Sequence, residues 1–413
     1  MKWGSVMDGG SGADGKASAS IETTASWRTA WYVLAVLTIA YGSPLLLVVG
    51  LKPIQEALNT DRSFVSLIIA LVWIGTGLGG ILMGWLADRI GIRTIVAFGV
   101  CMTAAGLALA SLGSIWALFA GHILMGLFGN SAIHPPLLIY ISRWFDRRRG
   151  TAIALISSGQ YFAGVVWPAL FERAFSSIGW QALMMGYGIL VLVVLLPAAL
   201  LLKPVPAPSR IATAAATPER QFGGMPPNVV QVLMCAAAFF CCIPMALPQA
   251  HLVAFCTDIG ISPARGATML SVMLAAAFLA RQAWGALADR IGGLGTVLAG
   301  SILQAMAIVA FSLTQDEAGL FVVAAAYGLG FAGIIPAYSV AVRDVFPSSE
   351  ASWRMPLTLF AGMSGMAVGS WLAGLLYDQF GTYAPAFMTG IIFNIANVLV
   401  IGFLVLRLPR ARP

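Results

Sequence analysis

The sequence predicts an all-α integral membrane fold, with twelve transmembrane helices in two six-helix bundles related by pseudo-two-fold symmetry. Three observations carry this: composition, the number of apolar runs, and an internal repeat. Of the 413 residues 59% are hydrophobic and only 9% charged, where a soluble domain has roughly a quarter of its residues charged. At about 20 apolar residues per crossing, twelve crossings use roughly 240 residues and leave room for short loops. The 45 glycines suit helices that approach closely on small residues. The long alternating patterns of a membrane β-barrel are missing. A net charge of +7 raises the question of nucleic acid, but no long basic stretch is interleaved with stacking aromatics, so no nucleic-acid partner is expected. Cys101, Cys235, Cys241, Cys242 and Cys256 lie in or beside apolar runs without metal-type spacing. They read as reduced core thiols, and neither metal nor cofactor is expected.

Residues 1–26 are rich in Gly, Ser and Ala and read as a disordered cytoplasmic tail with no cleavable signal. Six apolar runs follow, near 29–51, 64–86, 94–112, 116–142, 151–171 and 180–202, giving an N-terminal bundle over 27–202. Residues 203–228 hold Pro204, Pro206, Pro208, Pro218, Pro226 and Pro227, which suits a cytoplasmic linker. Six more runs, near 229–256, 264–287, 294–314, 319–342, 356–377 and 384–406, form a C-terminal bundle over 229–407, and 408–413 form a tail. With both termini cytoplasmic, eighteen of the 23 Lys and Arg residues fall inside and four outside: Lys52, Arg62, Arg173 and Arg265. The excess of inside charge sets this orientation. One cation, Arg281, is left within a span.

The halves repeat. Gly84-Trp85-Leu86-Ala87-Asp88-Arg89-Ile90-Gly91 returns 201 residues later as Gly285-Ala286-Leu287-Ala288-Asp289-Arg290-Ile291-Gly292, and the same shift places Gly129 on Gly330 and Pro135 on Pro336. A parallel repeat predicts two bundles with a central site between them. The paired loops resemble the Gly-x-Leu-Ala-Asp-Arg-x-Gly signature of the major facilitator superfamily. Within it, three stretches resemble the monocarboxylate transporter and oxalate:formate antiporter group. They are His251 to Ser262 followed by Ala280-Arg281, Arg143 to Gly150, and Gly374 to Tyr383. This resemblance implies a rocking carrier whose span-eight arginine binds substrate. It also implies that Gly84, Asp88, Arg89, Asp289 and Arg290 form a conformational latch, against the plainer reading of a cytoplasmic turn.

Arg281 is the most informative residue. A guanidinium in a span costs ~2.5–3.5 kcal/mol on insertion scales and needs a cavity or partner. An anionic substrate is the natural counterion, because the planar fork grips a carboxylate with two hydrogen bonds. Snorkelling toward the cytoplasm, eight residues from Asp289, is the alternative. No acid lies deep in a span, and Ala277 stands where the monocarboxylate group often has an aspartate. His251, after Pro244 and Pro248, is expected to line the site and carry the coupling proton, the alternative being a hydrogen-bonded packing residue. His134 and His122 are weaker candidates of the same kind. Tyr338, Tyr41, Asn130 and Gln160 are further substrate-binding candidates, from a set that also contains Tyr161, Tyr327, Asn394 and Asn397.

The expected function is secondary transport of small organic anions, monocarboxylates above all, by proton symport with alternating access. The protein is expected to work as a monomer in a cell inner membrane. Without a phosphate loop, zinc-type cluster or nucleophile elbow, no enzyme activity is expected. An anion exchanger is the alternative, and a polytopic receptor a remote one.

Overall fold

A computed structural model of the protein describes residues 22–145, 148–204 and 224–407. Most of the two expected tails and of the linker therefore lies outside the described residues, which are almost wholly helical. The first crossing is made of α1 (Thr24–Ala40) and α2 (Gly42–Val49), broken at Tyr41, and α3 (Leu51–Leu58) follows it. Next come α4 (Arg62–Ile90), α5 (Ile92–Ala110) and α6 (Ile115–Leu124). A wide π-helical turn over Met125–Asn130 leads into α7 (Ser131–Ser142). The first half closes with α8 (Arg149–Ser157) and α9 (Gly159–Leu200). The second half contains α10 (Pro227–Asp258), α11 (Pro263–Leu313), α12 (Glu317–Phe331), α13 (Ile334–Val345), α14 (Ser348–Phe380) and α15 (Ala384–Arg407).

Ten continuous stretches among the described residues are long and apolar enough to cross a membrane. Two of them, Gly150–Leu200 and Pro263–Leu313, are 51 residues long. At 1.5 Å per residue each measures about 77 Å, well over twice a bilayer core of about 30 Å. Each turns at a glycine held in a conformation other residues avoid: Gly179 at φ 76° and Gly292 at φ 76°. Dividing them there is what brings the ten stretches to the expected twelve. Gly91, the repeat partner of Gly292, has φ 89° and turns the chain between α4 and α5. The eight-residue repeat is thus a repeat of one turn geometry.

The glycines of α4 are packing surface. A Cβ at Gly75 would lie 2.9 Å from the Leu127 nitrogen, and one at Gly79 would lie 2.1 Å from the Leu127 oxygen. The wide turn before α7 therefore rests directly on α4. Across the halves α4 meets α14 and α9 meets α11. A Cβ at Gly374 would stand 2.5 Å from Ser66 Oγ, one at Gly77 would stand 2.9 Å from Phe360, and one at Gly164 would stand 2.0 Å from Leu274. Small residues let the two bundles touch along these seams.

Candidate functional site

Two polar sites join the halves, one midway along the bundle and one at the end opposite the termini. The mid-bundle site is built from irregular backbone. Tyr41 occupies the break between α1 and α2, Asn130 closes the π-helical turn, and Ser158 breaks α8 from α9. Pro135 and Pro136 lack the N–H groups that would bond back to Ser131 and Ala132, which loosens the start of α7 beside that wide turn. Broken helices at membrane depth occur where they line a cavity. Onto this side of the first half, α11 projects Arg281.

Arg281 is 9% exposed, and its Nη2 donates to Ser157 Oγ at 3.0 Å. Its guanidinium carbon lies 5.1 Å from the centre of the Tyr161 ring, a distance for cation–π attraction. Its Nε is buried without an acceptor, and it forms no ion pair among the described residues. At the break between α1 and α2, the Tyr41 ring meets the His134 ring edge-on at 5.1 Å. The result is a cation that touches one hydroxyl and one aromatic face among the described residues. Ala277, one turn before Arg281, is buried and offers no acid. Snorkelling toward the cytoplasm does not describe this side chain, because it crosses to the other half.

The remaining expected residues are placed as follows. Asn130 precedes His134 by one turn, and its amide makes no hydrogen bond with a described residue. Gln160 adjoins Tyr161 in α9 and is likewise unbonded and half-buried. Tyr338 lies elsewhere: its hydroxyl donates to Asn397 Oδ1 at 3.1 Å, and Asn397 donates to Ser301 Oγ at 2.7 Å, all inside the second bundle. Tyr327 donates to the Met245 carbonyl at 3.2 Å, close to the Pro244 carbonyl that Pro248 cannot bond. Asn394 is fully buried, with both amide atoms unbonded.

His251 belongs to the second site. Its Nε2 donates to the Ser370 carbonyl at 2.8 Å, which fixes the proton there, and its Nδ1 accepts from the Tyr383 hydroxyl at 2.9 Å. Burial pushes the Tyr383 phenol well above its ordinary pKa, so it stays a donor. Tyr383 accepts in turn from Arg62 Nη1 at 3.1 Å. Arg62, 2% exposed, forms an ion pair with Asp258 of the other half, and Lys52 Nζ reaches the same carboxylate at 2.9 Å. The Tyr377 ring lies under the guanidinium at 3.6 Å. The Asp378 carboxylate accepts from the backbone N–H groups of Arg62 at 3.0 Å and Ser63 at 2.7 Å. It thereby caps α4 from across the interface, where the helix dipole favours an anion. Both bundles are thus tied together at this end. Sequence reading marked His251, Asp258, Asp378 and Tyr383 as parts of family-like stretches without seeing that Arg62 and Lys52 complete them.

At the terminus-bearing end the halves are not tied among the described residues. Asp88 is exposed and pairs with Arg143 of its own half at 2.5 Å, while Arg89 lies over the Trp85 ring at 3.8 Å. Asp289 and Arg290 are exposed and make no ion pair with a described residue. Gly84 has only Ile139 of its own half within reach, and Gly285 has nothing. Asp344, the repeat partner of Arg143, instead accepts from the Gly293 N–H at 2.9 Å.

Comparison with known proteins agrees with this architecture. The family model described as Major Facilitator Superfamily matches residues 36–255 and 232–413. The uncharacterized MFS-type transporter YcxA of Bacillus subtilis (strain 168) is 24% identical over 357 residues, covering 83% of this chain and 86% of that protein. Monocarboxylate transporter 13 of Rattus norvegicus is 26% identical over 343 residues, covering 80% and 77%. A solved bacterial homolog of the human lysosomal transporter Spinster, in an inward-facing and occupied conformation, superposes with a TM-score of 0.72. It is 16% identical and covers 94% of this chain and 98% of that one. The chain belongs to the major facilitator superfamily and is a multi-pass membrane transporter of a small-molecule substrate, not an enzyme.

Proposed function

We propose that the protein carries small organic anions, monocarboxylates above all, across a cell inner membrane by proton symport with alternating access. The observation that carries this reading is Arg281: a buried cation at the junction of the halves, with one hydroxyl and no carboxylate bonded to it. Leaving such a charge uncompensated within a membrane span is costly, and a substrate carboxylate offers both the charge and the two acceptor oxygens the fork needs. One cation suits one carboxylate. The similarity to a protein named monocarboxylate transporter 13 supports the same substrate class.

The excess of basic residues at the terminus-bearing end makes that end cytoplasmic. The ties of Lys52 and Arg62 to Asp258 then form an outer seal, and substrate reaches Arg281 from the cytoplasmic side. The Asp88–Arg143 pair, and Asp289 and Arg290, which are unpaired among the described residues, are latch elements released in this conformation. They engage across the interface when the cytoplasmic side closes. Anion exchange is the second reading, favoured by the same lone cation, since a carrier that must return with Arg281 uncompensated crosses more easily with an anion aboard.

The test is uptake of labelled lactate, pyruvate and benzoate into proteoliposomes. Arg281→Ala is expected to abolish uptake of whichever acid the wild type carries. Arg281→Lys is expected to restore little, because a point charge replaces the fork. Near-normal uptake by the alanine variant overturns the assignment. Acceleration by internal anion, without any effect of a proton gradient, selects exchange over symport.

A further inference from the structure

We propose that the outer seal is also an entry site for the anion: when the halves part, Lys52 and Arg62 take up a carboxylate from outside in the place that Asp258 fills in the closed seal. This deepens the reading of the protein as a carrier of organic anions and rests on it for the class of ligand. The closed seal already holds a carboxylate in a built site. Arg62 presents its fork to Asp258, with Nη1 paired to Oδ2 and Nη2 donating to Oδ1 at 3.4 Å, and Lys52 Nζ lies 2.9 Å from the same Oδ1. Arg62 Nε donates to Gln55 Oε1 at 3.0 Å, and Gln55 stands one turn after Lys52 on α3. The guanidinium is therefore oriented by its own half as well as by the acid it grips. A fork held in place with an ammonium beside it is what a free carboxylate needs.

The charges of the seal are sorted by half. Lys52 and Arg62 belong to α3 and α4 of the first half, Asp258 and Asp378 to α10 and α14 of the second. Asp378 accepts from the N–H groups of Arg62 and Ser63 at the start of α4, at 3.0 and 2.7 Å. Tyr377 and Tyr383, whose ring centres lie 3.6 and 5.5 Å from the Arg62 guanidinium carbon, also belong to the second half. Parting the halves thus takes both acids and both rings away together. It leaves the first half with two cations, the Gln55 amide and the freed N–H groups of a helix start. Glu56 and Asp61 of the first half are exposed and form no ion pair with either cation among the described residues.

Taking the acid from a buried arginine is costly, because the remaining charge has no counterion. An anion from the outer medium supplies one. Its two oxygens replace those of Asp258 on the fork and on Lys52, with no covalent bond made or broken. The Lys52 side chain, 26% exposed against 3% for Arg62, is the cation that outside water reaches first. In the closed seal Asp258 occupies the place, so a carboxylate binds there only in the open state. Binding one state and not the other shifts the population toward opening. The anion is thereby drawn to the mouth and helps to unlock it.

The test is made on the full-length chain carrying Arg281→Ala, so that the mid-bundle arginine contributes nothing. Hydrogen exchange is compared in lactate, benzoate and chloride at equal ionic strength. Both carboxylates are expected to speed exchange of the backbone at 258–262 about twofold or more over chloride. Adding Lys52→Met is expected to abolish the difference. Equal exchange in carboxylate and chloride overturns the proposal, as does a difference that Lys52→Met leaves intact. A second measurement empties the site of its resident acid. Arg281→Ala with Asp258→Ala is expected to melt below Arg281→Ala alone and to regain about 2 °C or more in acetate or lactate. Further addition of Arg62→Gln removes that gain. Recovery as large in chloride, which is charge screening alone, or recovery that persists without Arg62 overturns the proposal. The exchange measurement keeps Asp258 in place and so does not depend on the folding of the second variant. Failure of the anion reading is separate: it is read from transport by the wild type and its loss in Arg281→Ala, whereas both measurements here are made without Arg281.

Discussion

Arg281 and Arg62 are both nearly buried guanidinium groups, and their partners set their roles apart. Arg62 has a carboxylate, a phenol hydroxyl and an aromatic face, the company of a structural ion pair. Arg281 has Ser157 and an aromatic face, and one of its nitrogens has nothing. A hydrogen bond to a charged donor contributes ~1.5–3 kcal/mol. In the empty site the serine therefore competes with substrate for Nη2. Ser157→Ala is expected to leave anion affinity unchanged or up to a few-fold tighter, whereas removing a true ligand contact would weaken it about tenfold or more. Equilibrium binding of the transported acid separates the two. Arg281 was legible in the sequence because a cation in an apolar run is conspicuous. Ser157 was not, because a serine in a membrane helix usually bonds its own backbone, as Ser158 does to the Ala154 carbonyl at 2.7 Å and Ser157 itself does at 3.1 Å while also accepting from Arg281. Tyr338 shows a related limit: a tyrosine in a span announces a polar need but not which partner meets it, here Asn397.

At the scale of helices, the irregular places decide which polar groups gather around Arg281. The sequence announced some of them. Pro135 and Pro136 mark the start of α7, and Gly91 and Gly292 mark a repeated turn. It did not announce the break at Ser158, where no proline or positive-φ glycine stands; at Tyr41 it offered Pro44, whose missing N–H cannot bond back to the Ala40 carbonyl, and packing there is tight. A Cβ at Gly42, for instance, would fall 1.9 Å from the Tyr187 hydroxyl. Runs of apolar residues did separate α9 and α11 into their crossings, breaking off at 171 and 287 and resuming at 180 and 294, although a single glycine turns each. The backbone conformation makes those glycines testable. At Gly292, with φ 76°, a Cβ would also sit 3.6 Å from Asp344 Oδ2. Gly292→Ala is expected to cost about 1–2 kcal/mol and to lower the thermal midpoint. Gly285→Ala, with nothing within 4 Å and no unusual φ, is expected to change it little. Equal melting of the two variants would show that the turn is not held in this conformation.

On the scale of the whole molecule, the two ends of the interface are unequal, and rocking predicts that they trade places. The outer end holds Lys52, Arg62 and Asp258 across the halves, while the terminus-bearing end has Asp88 paired within its own half and Asp289 unpaired among the described residues. Removing one partner of a buried ion pair costs ~3–5 kcal/mol, because the other charge is left uncompensated. Asp258→Asn therefore penalises only the state in which Arg62 is sealed. If the bundles move as rigid bodies about Arg281, opening one end must close the other, and the population shifts as a unit. Hydrogen exchange read along the chain distinguishes this from local loosening. In Asp258→Asn, the backbone around 51–66 and 258–263 is expected to exchange faster, while the distant turns at 88–93 and 289–293 become more protected as Asp88 and Asp289 come to face the opposite half. Local loosening would speed the first set and leave the second untouched. A second variant checks the direction without touching charge. Gly374→Ala puts a methyl group 2.5 Å from Ser66 Oγ, where the halves meet beside the seal, and it should shift both sets the same way as Asp258→Asn. Protection that rises at neither pair of turns in either variant would mean that the two ends are not mechanically linked, and that the Asp88 and Asp289 loops are ordinary turns.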